Sequence, residues 1–309
     1  MRKILITGGA GNIGSSLADR LSLDDNNEIV LVDNLLTGDP LKIPSNRSNI
    51  TFIKSDVNNY SDISAIMLCQ KFDYVFHYAA VVGVKRTIDN PKMVLNDIEG
   101  IKNILDLSKN TSIKKVFYSS SSEVYGEPVE IPQYEDTTPL NSRLPYAIVK
   151  NVGEAFFRTY HLEYGLNYTI FRFFNTYGPR QSTDFVISKF ISQAQQNRDI
   201  TIYGDGLQTR TFCYIDDNLE TTEKILNQSN LDNEVINIGS DQEITILELA
   251  QKVIKLLNSK SKIIHLDPLK EGDMTRRKPD ISKMKVVLTR ALTSIDEGIM
   301  LTAKSGFLQ

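Results

Sequence analysis

A doubly wound parallel α/β sheet is the fold that this sequence predicts, and two observations predict it. Apolar runs of strand length alternate with helical patterns up to about residue 174, an alternation typical of βαβ units. The first run, Lys3 to Thr7, breaks into a glycine-rich turn, Gly8 to Gly14, as the first strand of a Rossmann-type sheet does. We therefore expect a Rossmann-type fold.

The strands follow from short apolar, β-branched runs, and the helices follow from their start signals. The first helix should run through Ser15 to Leu23. Pro91 is placed to open a helix through Leu105, and Pro145 to open a later one, because proline is favoured in the first turn of a helix. The predicted strands lie near Lys3 to Thr7, Ile29 to Val32, Thr51 to Lys54, Tyr74 to His77, Lys115 to Ser119 and Tyr168 to Phe173.

The glycine turn is a candidate dinucleotide site. Glycines at 8, 11 and 14 permit a tight turn, a close approach of the backbone to a pyrophosphate and close packing of helix on sheet. The pyrophosphate would lie on the free N–H groups at the start of the first helix. The second strand ends in Asp33, about twenty residues further on, where a carboxylate accepts the ribose hydroxyls and repels a 2′-phosphate. The pattern favours NAD over NADP.

Tyr146 and Lys150 are the candidate catalytic pair. Being four residues apart, they lie on one face of a helix. An ammonium beside a phenol stabilises the phenolate, which is a base able to take a proton from a sugar hydroxyl near neutral pH. The same spacing also arises by chance in surface pairs, so the interpretation depends on the segments around it.

A serine cluster, Ser119 to Ser122, is followed by Glu123. In an open parallel sheet, ligands bind just beyond the carboxyl ends of the strands, which is where this cluster falls. Ser121 is therefore a candidate to share a hydrogen bond with the hydroxyl that Tyr146 deprotonates. The alternative is a solvated polar loop.

The composition narrows the possible partners and the compartment. A chain of 309 residues with 41% hydrophobic content can bury a large core, and its net charge of −3 gives no attraction to nucleic acid or to an anionic membrane. We expect no signal peptide, no membrane span and, by default, a cytoplasmic location. Cys69 and Cys213 offer neither a metal-ligand spacing nor a disulfide framework, so no metal is predicted.

Further motifs continue in register along nearly the whole chain. They are Asp56-Val57, His77-Tyr78-Ala79-Ala80, Asn96-Asp97-Ile98-Glu99-Gly100, Arg172-Phe173-Phe174-Asn175-Thr176-Tyr177-Gly178-Pro179, and Tyr203-Gly204-Asp205-Gly206-x-Gln208-Thr209-Arg210 leading to Tyr214-Ile215-Asp216-Asp217. With the glycine turn and the Tyr–Lys pair, they resemble the extended short-chain dehydrogenase/reductase family, in its branch of NAD-dependent nucleotide-sugar epimerases, dehydratases and decarboxylases. The resemblance implies an enzyme that binds NAD and a nucleotide sugar, most often a UDP-sugar, and that forms a homodimer through the helix from Pro91 to Asn110 and the Tyr146 helix.

The resemblance also implies roles for single residues and for the lobes. Residues 1–174 and 211–239 would form the NAD-binding lobe, and residues 175–210 and 240–309 a smaller α/β lobe for the nucleotide sugar. Asn175 would contact the substrate diphosphate or sugar, Tyr203 would lie by the base, and Arg210 would neutralise phosphate. The implied NAD-binding residues are Gly8, Gly11, Asn12, Ile13, Gly14, Asp33, Asn34, Asp56, Val57, Ala79, Ala80 and Lys150.

The chemistry that the family shares is oxidation of the sugar at C4. Tyr146 takes the hydroxyl proton, Ser121 orients it, Lys150 holds the nicotinamide ribose, and hydride passes to NAD. Reduction of the 4-keto sugar from its other face gives an epimer. Removal of the C5 proton and loss of the C6 hydroxyl gives a 4-keto-6-deoxy sugar, and a C6 carboxylate leaves as CO2.

Four side chains bear on which of these routes the chain follows. Glu123 matches the extra carboxylate of the family's dehydratases and decarboxylases, although Ser122 stands where dehydratases often carry Asp. Arg277 and Arg143 match arginines of UDP-glucuronate decarboxylases and are suited to bind a C6 carboxylate. Lys85 lies in a segment, Val81 to Pro91, that is more similar to 4-epimerases acting on UDP-glucuronate or UDP-N-acetylhexosamine.

A UDP-glucuronate decarboxylase is therefore the lead hypothesis. A UDP-sugar 4-epimerase is the first alternative and a 4,6-dehydratase the second. The charge run from Arg276 to Asp280 has a simpler interpretation as a solvated surface. A sensor that binds NAD without turnover and a reductase with freely exchanging cofactor are the remaining hypotheses.

Overall fold

The computed structural model describes residues 1–228, 230–267 and 276–306, apart from the side chains of residues 84 and 85. Short 3₁₀ turns cover Pro40–Lys42 and Ser122–Tyr125. The strands are β1 (Arg2–Thr7), β2 (Asn27–Asp33), β3 (Ile50–Lys54), β4 (Tyr74–His77), β5 (Lys115–Ser121), β6 (Tyr168–Phe173), β7 (Thr176–Tyr177), β8 (Ile200–Tyr203), β9 (Thr209–Thr211), β10 (Cys213–Tyr214), β11 (Glu234–Ile238), β12 (Glu243–Thr245) and β13 (Ile263–Leu266). The helices are α1 (Asn12–Leu21), α2 (Tyr60–Cys69), α3 (Val84–Asp89), α4 (Pro91–Leu95), α5 (Asp97–Lys109), α6 (Pro145–Tyr164), α7 (Val186–Gln195), α8 (Ile215–Leu226), α9 (Ile246–Leu256), α10 (Ser282–Leu288) and α11 (Ile295–Lys304).

A seven-stranded sheet with the order β11-β6-β5-β4-β1-β2-β3 confirms the predicted fold class. The pairs β1–β2, β1–β4, β2–β3 and β4–β5 are parallel. All six predicted strands are present, and β11 adds a seventh. The order reverses between β1 and β4, and in doubly wound sheets ligands bind at such a switch point, outside the carboxyl ends of the strands.

The sheet is apolar on both faces, as parallel sheets are when helices cover them. In β1, Ile4, Leu5 and Ile6 are completely buried. Leu5 belongs to a buried cluster that also contains Ile63 of α2 and Ile104 of α5. Continuous burial along β1 holds its last residue, and therefore the glycine turn that follows, in a fixed position.

The helix that carries the Tyr–Lys pair begins and ends as its sequence indicates. Pro145 is the first residue of α6, and Gly165 ends it with a left-handed backbone at φ 70°. The predicted helix through Leu105 is instead divided at Asn96 into α4 and α5. None of the described helices combines the length and the apolar character needed to cross a lipid bilayer.

The chain divides into two compact units. The first comprises Met1–Val124, Ser142–Arg172 and Thr222–Ile236, and it contains the glycine turn and α6. The second comprises Tyr125–Asn141, Phe173–Thr221 and Asn237–Gln309. Its short strands pair as β10–β7, β12–β9 and β13–β8, and α9 opens with a capping box between Thr245 and Glu248.

Candidate active site

The glycine turn requires glycine at two of its three motif positions, Gly8 and Gly14. Gly8 has φ +70°, and a Cβ there would lie 2.7 Å from the carbonyl carbon of Tyr78. A Cβ on Gly14 would lie 2.4 Å from the carbonyl oxygen of Gly8. The N–H of Gly11 donates to that same oxygen at 3.0 Å. The start of α1 is thereby held directly against the end of β1, with Asn12 and Ile13 in its first turn.

Asp33 ties the end of β2 to the glycine turn. Its Oδ2 accepts the N–H of Ala10 at 3.0 Å, and its Oδ1 accepts the N–H of Leu35 at 2.8 Å. Each oxygen keeps acceptor capacity beyond these bonds, because a carboxylate has about four lone-pair sites. Next to it, Nδ2 of Asn34 donates to Oδ2 of Asp56 at 3.1 Å. The predicted adenosine-binding residues at the ends of β2 and β3 are therefore brought together, with Val57 buried behind them.

These residues fit the cofactor that the sequence predicts. Oδ1 of Asn12 is buried and, within the described residues, has no hydrogen-bond partner, as expected of a polar atom that meets a ligand. Backbone contacts exclude side chains at Gly8 and Gly14, and the first N–H groups of α1, which have no acceptor within a helix, are suited to bind a pyrophosphate. We infer that Gly8 to Gly14 and Asp33 would hold NAD, which supplies a hydride acceptor when bound.

The end of β4 is fastened to β1 by Thr7. Its Oγ1 accepts the N–H groups of Tyr78 and Ala79, each at 3.2 Å, and lies 2.9 Å from Nδ1 of His77. Burial and the nearby charge of Lys150 lower the pKa of His77 to about 3, so this imidazole is neutral. The backbone at Ala79 and Ala80, predicted to contact NAD, is thus fixed beside the glycine turn.

Lys150 is buried on the inner face of α6. Its Nζ donates to the carbonyl oxygen of Ser119 at 2.6 Å and lies 3.3 Å from the Ser119 hydroxyl. The same atom is 5.0 Å from the ring centre of Tyr118 and 5.7 Å from that of Tyr146. Burial lowers the pKa of Lys150 to about 8, against the opposing charge of Asp97. The structure therefore brings the predicted ammonium to the phenol that it is expected to activate.

The lowered pKa of Lys150 predicts a pH dependence of stability in the protein without NAD. The unfolded chain holds the proton up to pH 10.5 and the folded chain only to about pH 8, so unfolding takes up a proton between these values. The contribution of Lys150 to the free energy of unfolding should therefore rise from about pH 8 to pH 10.5, by on the order of 3 kcal/mol. Burial raises the pKa of Cys213 and of Tyr118, which act in the opposite direction, so the test is the difference from Lys150→Met, a variant that keeps those groups. Urea titrations should show this difference growing in favour of the wild type across the range. A difference that stays constant with pH would contradict the prediction.

Ser121 and Glu123 lie at the carboxyl end of β5. Oγ of Ser121 accepts the N–H of Glu123 at 3.2 Å, which places the two side chains at one strand end. Ser121 is 8% exposed, while Glu123, in the 3₁₀ turn, is half-buried. Since Lys150 is bonded to Ser119 of the same strand, three of the four predicted catalytic residues are anchored at or next to the end of β5.

The second unit holds four predicted substrate-binding residues. Asn175 has a left-handed backbone at φ 38°, and its Nδ2 donates to the carbonyl oxygen of Thr211 at 2.9 Å. The side chain of Tyr203 is exposed, as a ring that stacks on a base must be. Arg210 is buried and donates from Nη1 to the carbonyl oxygen of Thr209 at 2.7 Å.

The fourth is Arg277, in a charge run that is not uniform. Arg276 makes two bonds to Glu243, at 2.6 and 2.7 Å, and Lys278 lies 3.4 Å from the same carboxylate. The hydrogen bond from Arg276 lowers the pKa of Glu243 to about 2. Arg277 is only 7% exposed, whereas Arg276 is exposed. The solvated-surface interpretation thus suits Arg276 and does not suit Arg277.

The two remaining predicted substrate-binding residues are Arg143, just before α6, and Lys85, within α3. Arg143 is exposed, two residues ahead of Pro145. Lys85 belongs to α3, but its side chain lies outside the described part of the structure. Sequence reasoning missed Asp97, whose Oδ2 accepts the N–H of Val81 at 2.7 Å and whose charge acts on Lys150. The Asn96-Asp97 motif of the sequence includes Asp97, but it did not indicate the bond to Val81 or the effect on Lys150.

Comparison with known proteins finds similarity over most of the chain. The model of the NAD dependent epimerase/dehydratase family matches residues 4–239. A UDP-N-acetyl-alpha-D-glucosaminuronate decarboxylase of Bacillus cytotoxicus is 37% identical over 298 residues, covering 92% of this chain and 91% of that protein. UDP-glucuronic acid decarboxylase 5 of Arabidopsis thaliana is 36% identical over 295 residues, covering 93% of this chain and 83% of that protein.

A solved structure is similar over the whole chain. UDP-glucuronic acid 4-epimerase from Bacillus cereus, in complex with UDP-glucuronic acid and NAD, superposes with a TM-score of 0.89 at 30% identity, covering 99% of this chain and 98% of that one. The relatives therefore include both of the leading hypotheses from the sequence, decarboxylase and 4-epimerase.

Proposed function

Since this chain belongs to the NAD-dependent epimerase/dehydratase family, we propose that it oxidises C4 of a UDP-linked glucuronate-type sugar and then removes its C6 carboxylate as CO2. The observation that supports the proposal is the position of Glu123, two residues beyond Ser121 at the carboxyl end of β5, with its backbone N–H donating to the Ser121 hydroxyl. An acidic residue at this strand end is available beside the proposed acid–base groups. C4 oxidation followed by re-reduction, which suffices for an epimerase, leaves that carboxylate without a role.

The oxidation step uses residues of the first unit. Tyr146, as phenolate, accepts the proton of the C4 hydroxyl, and Lys150 stabilises the negative phenolate by its charge. Ser121 donates to or accepts from the same hydroxyl and so fixes its orientation. The C4–H bond breaks as its electron pair leaves with the hydride, and the sugar becomes a 4-ketone.

Decarboxylation then follows from the chemistry of the ketone. With a carboxylate at C6, the 4-keto sugar is a β-keto acid, and breaking the C5–C6 bond releases CO2 and leaves an enolate across C4 and C5. A proton delivered to C5 restores the ketone, and Glu123 is the proposed donor, which takes up a proton from solvent before the next turnover. Return of the hydride to C4 and of the proton from Tyr146 to the oxygen completes a redox-neutral cycle.

Substrate recognition is proposed for the residues that the family resemblance assigns to it. Arg277 is the candidate for the C6 carboxylate, because a guanidinium is always charged and binds carboxylates bidentately. Arg143 and Lys85 are further candidates for this acidic group. We propose that Arg210 binds phosphate and Asn175 the diphosphate or sugar. Tyr203 would stack on the base, within a nucleotide-sugar lobe of residues 175–210 and 240–309.

The 4-epimerase is the second candidate function, and a specific segment favours it. Val81 to Pro91 resembles 4-epimerases rather than decarboxylases, and the Bacillus cereus relative is a 4-epimerase. An acidic sugar is favoured in either case, and a UDP-N-acetylhexosamine is the other substrate expected for an epimerase. An N-acetylated glucuronate is a further candidate, since the Bacillus cytotoxicus relative is named for one. The 4,6-dehydratase is less well supported, because Ser122 stands where dehydratases of the family often carry Asp.

A panel of nucleotide sugars separates these activities. Purified protein is incubated with NAD and, separately, with UDP-glucuronate, UDP-N-acetylglucosaminuronate, UDP-glucose and dTDP-glucose. The masses of the products are measured by mass spectrometry. We expect loss of one CO2 from an acidic UDP-sugar. An unchanged mass with altered proton couplings would establish the epimerase, loss of water would establish the dehydratase, and no turnover of any sugar would favour the sensor.

A homodimer is proposed through α4, α5 and α6. Leu95 of α4 and Ile148 of α6 are exposed apolar side chains, 44% and 39% accessible, on the helices that the sequence assigned to the interface. A second copy covering them would remove both from water. Light scattering at micromolar concentration should give the mass of a dimer, and a monomer would refute the proposal. The cytoplasmic location stays a prediction.

A further inference from the structure

A fully buried ion pair joins α6 to β6. Nε and Nη2 of Arg172 donate to the two carboxylate oxygens of Glu154, at 2.9 and 2.7 Å, and neither side chain is more than 1% exposed. The hydroxyl of Ser120 donates to Oε1 of Glu154 at 2.6 Å. Arg158, an exposed residue one turn along α6, lies 3.2 Å from Oε2. The carboxylate is thus held on both oxygens.

The pair lies one turn beyond the catalytic lysine. Tyr146, Lys150 and Glu154 follow at intervals of four residues, so they lie on one side of α6, about 6 Å apart along its axis. Lys150 is bonded to Ser119 and Glu154 to Ser120. Two consecutive turns of the helix are therefore tied to two consecutive residues of β5. The next residue of that strand is Ser121, which is predicted to share a hydrogen bond with the C4 hydroxyl.

Stability alone gives a weak reason for an ion pair at this place. Removing two charges from water costs several kcal/mol per ion, and apolar side chains of similar volume often stabilise a core equally well. A bidentate pair differs from an apolar contact in its geometry, because both nitrogen–oxygen distances must be met at once. Such a pair fixes how far α6 lies along β5 and how it is rotated, which apolar packing constrains less.

We propose that Glu154 and Arg172 are positioning residues that hold α6 in the register needed to align Tyr146 and Lys150 with Ser121. A slide of α6 by one residue would displace Lys150 by about 1.5 Å along the axis. A displacement of about 1 Å is enough to cost about 10²-fold in rate. The kinetic test of this proposal rests on the proposed C4 oxidation, so a second readout without substrate accompanies it.

The test is the double variant Glu154→Leu/Arg172→Met, which replaces the pair by apolar side chains and leaves neither partner as an uncompensated charge. We expect kcat to fall about 10- to 100-fold, with the KM of the sugar and the Kd of NAD within about twofold of the wild type. The matched control is Lys115→Met/Asp232→Leu, which removes another ion pair of the same unit, 2.5 Å long. Its kcat should be unchanged. A folded Glu154→Leu/Arg172→Met protein with wild-type kcat would overturn the proposal.

Ser120→Ala decides the matter if the double variant does not fold, since it removes a single hydroxyl. We expect kcat to fall about 3- to 10-fold at constant KM, which corresponds to the net contribution of one hydrogen bond. A kcat equal to that of the wild type would contradict the positioning role. The readout without substrate is the titration midpoint of Lys150, followed by NMR of labelled lysine. This midpoint should differ from the wild-type value in both variants, because the bond from Lys150 to Ser119 loosens. A midpoint equal to that of the wild type would overturn the proposal. A wild-type protein that is inactive on every sugar would instead count against the proposed function alone.

Discussion

Replacing Tyr146 by Phe is expected to lower kcat by about 10³-fold, because the variant keeps the ring and loses the only atom that takes the C4 proton. The ring packs against the core cluster, so the fold should survive. Lys150 keeps its bond to Ser119, which does not involve the phenol. The Kd of NAD and the KM of the sugar should stay within about twofold of the wild type, since the hydroxyl acts mainly in the transition state. Steady-state kinetics and NAD titration measure these quantities.

Tyr164→Phe is the matched control for this variant. Tyr164 lies on the same helix, is exposed, and contacts Lys109 rather than any predicted catalytic group. Its kcat should equal that of the wild type. If Tyr146→Phe kept more than about a tenth of the wild-type kcat, the assignment of the phenol as the base would be wrong, given the usual contribution of such a group.

Glu123→Gln should separate protonation of C5 from the steps that precede it. The amide is nearly isosteric with the carboxylate but has no proton to deliver to C5, so product formation and steady-state CO2 release should fall about 10²- to 10⁴-fold. C4 oxidation and CO2 release within the first turnover do not need Glu123 and should still occur. The decarboxylated 4-keto sugar should then accumulate, and trapping with hydroxylamine followed by mass spectrometry detects it.

The nearby Glu127 supplies the control, because it is exposed and four residues further along the same segment. Glu127→Gln should leave product formation unchanged. Product formation at the wild-type rate by Glu123→Gln would remove the reason for preferring a lyase. If the wild type proves to be an epimerase, the same variant should keep its activity, which makes the result informative under either function.

Much of the fold and of the cofactor site could be predicted from local patterns. The strand positions follow from apolar runs that a doubly covered sheet requires, and Pro145 marks the start of α6. Gly8 and Gly14 are recognisable because the backbone conformation or close contact excludes a side chain. These features depend on residues near one another in the chain, which is where sequence spacing carries information.

The surroundings of Lys150 could not be predicted in the same way. Ser119 is 31 residues from Lys150, and Arg172 is 18 residues from Glu154 on another element, so no spacing rule links them. The difference between Arg276 and Arg277 is also tertiary, because it depends on Glu243, 33 residues away from Arg276. Burial and long-range pairing, rather than residue type, distinguish these side chains.

C4 oxidation, the step assigned to Tyr146 and Lys150, is tested most directly with the acidic UDP-sugar that the panel identifies, deuterated at C4. In a single turnover with NAD, we expect a primary isotope effect on product formation and retention of the deuterium at C4, since the hydride returns to the carbon that it left. Product that forms at the same rate from labelled and unlabelled sugar, or that forms with the C4 label lost to water, would contradict it.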